Sequence, residues 1–255
     1  MPDPSAARGV ALITGAGRRI GRALALAMAG AGYDIALHCH TSCAEAEGAA
    51  AEIDALGRRA AVLRADLLDE HETRALVAAA HRALGPVTLL INNASVFEDD
   101  RIETLASDTW RAHMEVNLHA PLVLSQSFAA ELPADRTGLI INILDQRVWN
   151  PNPQFFSYSL SKAALWMATR TMAQGLAPRI RVNGIGPGPT LPSVHQTLEM
   201  FQAEAEHTPL QRRATPADIA AAALYLIDAR SVTGQMIAVD GGQHLAWLTP
   251  DIALP

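Results

Sequence analysis

Cysteine, aromatic residues and long apolar runs are all scarce in this chain. Only Cys39 and Cys43 occur in 255 residues, and no CxxC or His/Cys cluster accompanies them. Neither a zinc site nor a disulfide framework follows from two such cysteines. Aromatics make up 5%, so each one beside a candidate site carries more weight. No basic run is present, and the net charge of −6 comes from interspersed signs, which excludes nucleic acid as the main partner. No apolar run reaches the ~18 residues of a membrane span. The first residues, Met1-Pro-Asp-Pro-Ser, lack the apolar core of a secretion signal, so a reducing, cytoplasmic setting is expected. In that setting the sequon Asn93-Ala94-Ser95 is a chance match.

What the chain does have is 49% hydrophobic residues, enough for a sizeable core, and a length that suits one domain. Short β-type runs alternate with helical patterns. Strands are expected near 10–14, 33–38, 60–64, 87–92, 139–144, 180–185 and 236–240. Helices are expected near 21–31, 44–56, 70–84, 107–132, 157–176 and 217–227. Such alternation specifies an α/β fold, a doubly wound parallel sheet of about seven strands with helices on both faces. Strands as continuously apolar as Leu89-Leu90-Ile91 fit burial on both faces. The longest stretch lacking a strand, 187–216, is rich in proline and reads as a substrate-binding flap.

The first strand runs into Thr14-Gly15-Ala16-Gly17-Arg18-Arg19-Ile20-Gly21, with a helix after it. Glycines let the backbone approach a phosphate, and the helix N-terminus supplies amide donors. An NAD-type site wants a carboxylate at the end of the second strand. Here the segment is His38-Cys39-His40-Thr41-Ser42, and Asp34 lies too early. With Arg18, His40, Thr41 and Ser42 as donors for a 2′-phosphate, NADP is favoured. His38 reads as a plain strand cap. Later, Tyr158 and Lys162 stand four apart, one turn from each other on one helix face. An ammonium near a phenol draws its pKa toward neutrality, which suits proton donation during reduction. Thirteen residues before the tyrosine stands Asp145.

Together these pieces resemble the short-chain dehydrogenase/reductase family over nearly the whole chain. The motifs stand in order: Thr14-Gly15…Gly21, Asp66-Leu67, Asn92-Asn93-Ala94-Ser95, Asn117, Tyr158…Lys162, Pro187-Gly188 and the terminal Val239-Asp240-Gly241-Gly242. The resemblance implies a Rossmann fold, hydride transfer with a nicotinamide and a homotetramer. It implies that Gly15, Ile20, Asp66, Leu67, Asn93, Ala94, Pro187 and Gly188 line the cofactor. It also implies that Lys162 binds the nicotinamide ribose and lowers the Tyr158 pKa, and that Asn117 supports a proton-relay water.

Two departures narrow the resemblance. Arg19 stands where the family usually has Gly, and Asp145 where it has Ser. Both look like the pteridine reductase branch, as do His38-Cys39-His40-Thr41-Ser42 and Asn92-Asn93-Ala94-Ser95-Val96-Phe97. In that branch Thr41 is often Arg, and the pterin lies between the nicotinamide and the residue matching Phe97. The resemblance therefore implies NADPH-dependent reduction of a pterin-type C=N bond, with Ser95, Phe97, Asp145 and Tyr158 around the substrate. Trp149 and Phe155-Phe156 are further candidates to wall the pocket. A ketone, acyl thioester or sugar carbonyl is the alternative substrate, and a non-catalytic NADP-sensing protein the alternative of another class.

Overall fold

The computed structural model describes residues 8–192 and 196–246. Seven strands form one parallel sheet: β1 (Val10–Ile13), β2 (Asp34–Cys39), β3 (Ala60–Arg64), β4 (Val87–Asn92), β5 (Gly138–Ile143), β6 (Ile180–Pro187) and β7 (Met236–Val239). Their spatial order is β3-β2-β1-β4-β5-β6-β7. Successive side chains of a strand point to opposite faces, and both faces here are apolar. Ala11, Ile13, Leu89 and Ile91 join one core; Val10, Leu12 and Leu90 join the other. Two-sided burial is why the central strands read as unbroken hydrophobic runs.

Helices α1 (Arg19–Gly30), α2 (Cys43–Ala55) and α8 (Pro216–Asp228) cover the first face. The second face is covered by α3 (Glu70–Leu84) and α5 (Ala120–Glu131), with α4 (Ser107–Met114) and α6 (Phe156–Gly175) beside them. The helical patterns expected near 107–132 fold as two helices, α4 and α5. Between α4 and α5 lies a π turn, Glu115–His119, in which the Ala120 amide donates to the Glu115 carbonyl five residues back. Pro121 follows at the start of α5 and has no amide hydrogen for a regular ladder. Within the expected flap, residues 198–206 fold as α7 (Leu198–Glu206). Among the described residues no helix is long and apolar enough to cross a membrane.

One expectation is overturned. Cys39 and Cys43 are joined by a disulfide. Cys39 ends β2 and Cys43 opens α2, and the turn between them brings their Cα atoms to 5.4 Å, within disulfide reach. Spacing along a sequence does not show how sharply that turn folds back.

Candidate active site

β1 pairs with β2 on one side and β4 on the other, so the strand order reverses direction at β1. A crevice opens at such a point beyond the carboxyl ends of the strands. The glycine-rich loop fills it and is stitched to its neighbours. Thr14 Oγ1 accepts from the backbone amides of Asn93 and Ala94, both at 2.9 Å. Asn93 Nδ2 donates to the carbonyls of Thr14 and Gly15. The Gly15 amide donates to His38 Nδ1 at 3.1 Å, and His38 Nε2 lies 3.1 Å from the Ala65 carbonyl. These contacts require the neutral Nε2–H tautomer, and burial lowers the His38 pKa accordingly. His38 is thus more than a strand cap: it ties the loop to the segment after β3. The loop demands glycine twice. Gly15 has φ +63, and a Cβ on Gly21 would stand 2.1 Å from the Gly15 carbonyl oxygen.

Two cavities, each of about 480 Å³, flank this loop and share Arg19, Ile20, Asn93 and Ser95 in their walls. The outer one collects the expected cofactor residues Gly15, Arg18, Arg19, Ile20, His40, Thr41, Ser42, Asp66, Leu67, Asn93 and Ala94. Its donor set, with a glycine loop that a side chain would fill, fits a phosphorylated dinucleotide. Arg18 sits 3.8 Å from Glu45, and His40 Nε2 sits 3.9 Å from Asp66. Arg19, at φ +53, donates to the carbonyls of Leu191 and Pro192, bridging the loop to the segment after β6. Asp34 is at the far end of β2, buried between Arg58 and Arg59.

The inner cavity brings together Ser95, Phe97, Asp145, Tyr158, Lys162, Pro187 and Gly188. Asp145 follows β5, and Tyr158 and Lys162 lie in the first two turns of α6. Tyr158 Oη donates to Asp145 Oδ2 at 2.9 Å. Asp145 Oδ1 accepts from the Arg147 amide at 2.8 Å and so caps the short 3-10 turn Gln146–Val148. The carboxylate therefore does both things expected of a loop acid beside a phenol: it caps its own turn and it engages the ring hydroxyl. Lys162 Nζ donates to the Ile143 carbonyl at 2.8 Å and lies 5.7 Å from the centre of the Tyr158 ring. The Phe97 ring meets Tyr158 edge-on at 4.7 Å and stacks on Phe155 at 4.1 Å, 12° from parallel. Phe155 lines the cavity; Trp149 and Phe156 do not.

The pKa directions correct one expectation. Burial, and after it the Asp145 carboxylate, holds the Tyr158 phenol well above its ordinary value rather than near neutrality. Burial brings Lys162 down to about 8, against the opposing pull of Asp145. The Arg147 guanidinium pulls the Tyr158 phenol the other way, but less strongly than the Asp145 carboxylate raises it.

Asn117 does not line either cavity. Its Oδ1 accepts from the Val96 amide and from Ser95 Oγ, while its Nδ2 donates to the Val96 carbonyl and to Ser161 Oγ. From the π turn it clamps the chain leading to Phe97 against α6. A second buried network anchors the start of α6. Asp100 accepts from both the amide and the hydroxyl of Ser157, and the Ser157 hydroxyl meets His113 Nδ1 at 2.6 Å. His113 Nε2 in turn accepts from the Glu98 amide. Sequence inspection passed over this network and over Arg147, whose signal was its place two residues after Asp145.

A family model described as short chain dehydrogenase matches residues 9–203. The 7alpha-hydroxysteroid dehydrogenase of Escherichia coli is 37% identical over 91% of this chain and 92% of its own length. The solved structure of FolM alternative dihydrofolate reductase 1 from Brucella canis, complexed with NADP, is 49% identical. It covers 98% of this chain and 99% of its own, with a TM-score of 0.93. The Brucella suis counterpart, also with NADP, is 50% identical over 96% of this chain and 99% of its own, with a TM-score of 0.93. A matching family model over most of its length, relatives over nine-tenths of it and a shared seven-stranded fold make this chain a member of the short-chain dehydrogenase/reductase family.

Proposed function

We propose that the protein is an NADPH-dependent reductase of a pterin-type C=N bond, acting on dihydropterin, dihydromonapterin or dihydrofolate-like rings. The observation that carries the reading is the hydrogen bond from Tyr158 Oη to Asp145 Oδ2, beside the ring of Phe97. A serine hydroxyl at position 145 would donate to a carbonyl oxygen as charge develops. A carboxylate cannot, but beside a phenol it supports proton delivery to a ring nitrogen. The Brucella FolM structures, with a dihydrofolate reductase name and NADP bound, support the same reading.

The residues of the outer cavity would hold the cofactor: the Gly15–Gly21 loop at the pyrophosphate, Asp66 and Leu67 at the adenine, Arg18, His40, Thr41 and Ser42 at the 2′-phosphate. Asn93, Ala94, Pro187 and Gly188 would line the path to the nicotinamide. When bound, NADPH supplies the hydride that the substrate carbon receives. The chain supplies the proton. Tyr158 gives its hydroxyl proton to the nitrogen as the C=N electron pair moves there, so the bond becomes CH–NH. The Lys162 ammonium offsets the phenolate left behind. Phe97 stacks on the planar ring, worth roughly 0.5–1.5 kcal/mol beyond area burial. Asn117 keeps Ser95 and Phe97 in place. Residues 187–216, of which 193–195 lie outside the described residues, act as the substrate flap, tied to the cofactor loop through Arg19. We infer a cytoplasmic homotetramer, as in the family; exposed Trp110, Leu160 and Met167 on neighbouring α4 and α6 offer apolar surface to it.

The test is NADPH oxidation with dihydrobiopterin, dihydromonapterin and dihydrofolate; no turnover with any of them overturns the reading. Reduction of a ketone, such as a steroid, is the second reading. It is favoured by the hydroxysteroid dehydrogenase relative, and a parallel panel of carbonyl substrates separates the two.

A further inference from the structure

We propose that Arg147 is a specificity-determining residue: its guanidinium donates to the carbonyl oxygen peri to the reduced imine nitrogen, and so selects 4-oxo over 4-amino rings. The inference rests on the pterin reading of the site and names the feature of the ring that the site recognises.

Arg147 has donors left over. Its Nη1 lies 3.4 Å from Asp145 Oδ2, the oxygen that accepts from Tyr158. Its Nε is buried and finds no acceptor among the described residues. A buried guanidinium donor without a partner is costly, and this one belongs to a side chain in the cavity wall, 16% exposed. The head group rests beside a pair of aromatic rings. Its Cζ lies 5.7 Å from the ring centre of Phe97 and 5.3 Å from that of Phe155, two rings that stack on each other. Arg147 is thus a donor beside an aromatic slab, one carboxylate oxygen away from the proton donor.

The substrate's chemistry supplies the complement. In a 7,8-dihydropterin the imine nitrogen that takes the proton has the 4-oxo group as its peri neighbour, in the same plane. A ring stacked on Phe97 with that nitrogen at Tyr158 brings its 4-oxo oxygen to the adjacent position, where Arg147 offers N–H donors. A 4-amino ring turns N–H donors toward the guanidinium there. Facing donors leave both sides unsatisfied, the arrangement by which polar sites reject a near-isostere.

The experiment compares competitive binding of 2-amino-4-oxopteridine and 2,4-diaminopteridine to the NADPH-bound enzyme, in the wild type and in Arg147→Met and Arg147→Lys. The ratio of the two inhibition constants is expected to move toward the 4-amino ring by on the order of tenfold in Arg147→Met. It should move less in Arg147→Lys, which keeps a donor. An unchanged ratio in Arg147→Met overturns the proposal even if turnover falls. NADPH affinity checks that the variants fold. A wild-type measurement does not depend on them: 2-aminopteridine, which lacks the 4-oxygen, should bind about tenfold more weakly than its 4-oxo counterpart, and equal binding refutes the role. Failure of this inference alone leaves dihydropterin turnover intact. Failure of the pterin reading abolishes turnover and binding of every pteridine, and takes this inference with it.

Discussion

Replacing Asp145 by serine restores the residue more usual in the family and should sharply lower the pterin reduction proposed for this enzyme. In the native site a buried carboxylate oxygen accepts the Tyr158 hydroxyl at 2.9 Å. A serine side chain is shorter and uncharged, so the charge-assisted hydrogen bond is lost. Such a bond contributes about 1.5–3 kcal/mol. Expressed on the barrier, that is roughly a tenfold to hundredfold fall in kcat/KM. Neither Asp145 nor Arg147 lines the outer cavity, so NADPH affinity should stay the same. The phenol should also respond. The Asp145 charge raises the Tyr158 pKa, second only to burial, so its removal moves that pKa down. The assay is steady-state NADPH oxidation with a dihydropterin across pH, alongside cofactor binding by fluorescence titration. If NADPH affinity fell as far as turnover, or if Asp145→Ser reduced pterins as well as the wild type, the role given to the carboxylate would be wrong.

Other outcomes follow from the remaining buried groups. Lys162 has its pKa lowered from 10.5 to about 8, so turnover should fall as pH rises through about 8 and the ammonium is lost. Conformational stability should rise over the same range and up to about 10.5, because there the unfolded chain binds more protons than the folded one. Lys162→Met should abolish the alkaline limb along with most activity; a limb that survives in that variant assigns it to another group. His38 has its pKa lowered by burial, so its stabilising effect is complete above the ordinary value of about 6.5 and declines as pH falls below it. Protonation also removes the acceptor for the Gly15 amide. NADPH affinity and thermal stability should therefore decline together on the acid side, with a shallower slope in His38→Asn, and an identical slope there refutes the assignment.

Much of the fold was legible because its signal is local. Strands buried on both faces must be apolar at every position, so Leu89-Leu90-Ile91 and Ile140-Ile141 declare themselves. Strand β3 and helix α3 even keep their expected bounds, 60–64 and 70–84. The π turn between α4 and α5 was missed because hydrophobic periodicity barely registers one extra residue per turn. The disulfide was missed because it depends on how tightly residues 40–42 turn back.

The candidate site divides the same way. Motif residues at the ends of β1, β2, β4, β5 and β6 had to converge, because a parallel sheet presents all its carboxyl ends on one edge. The sequence by itself therefore determined the family, the glycine-rich loop and the Tyr158–Lys162 pair with Asp145. Only the tertiary structure decided the balance of charge among them. The carboxylate touches the phenol while the ammonium turns to the Ile143 carbonyl, so Tyr158 is held as a proton donor. It also decided that Arg147 lines the inner cavity beside Phe97 and Phe155. Distances of a few ångströms between residues far apart in the chain set pKa values and donor directions, and no spacing along a sequence encodes them.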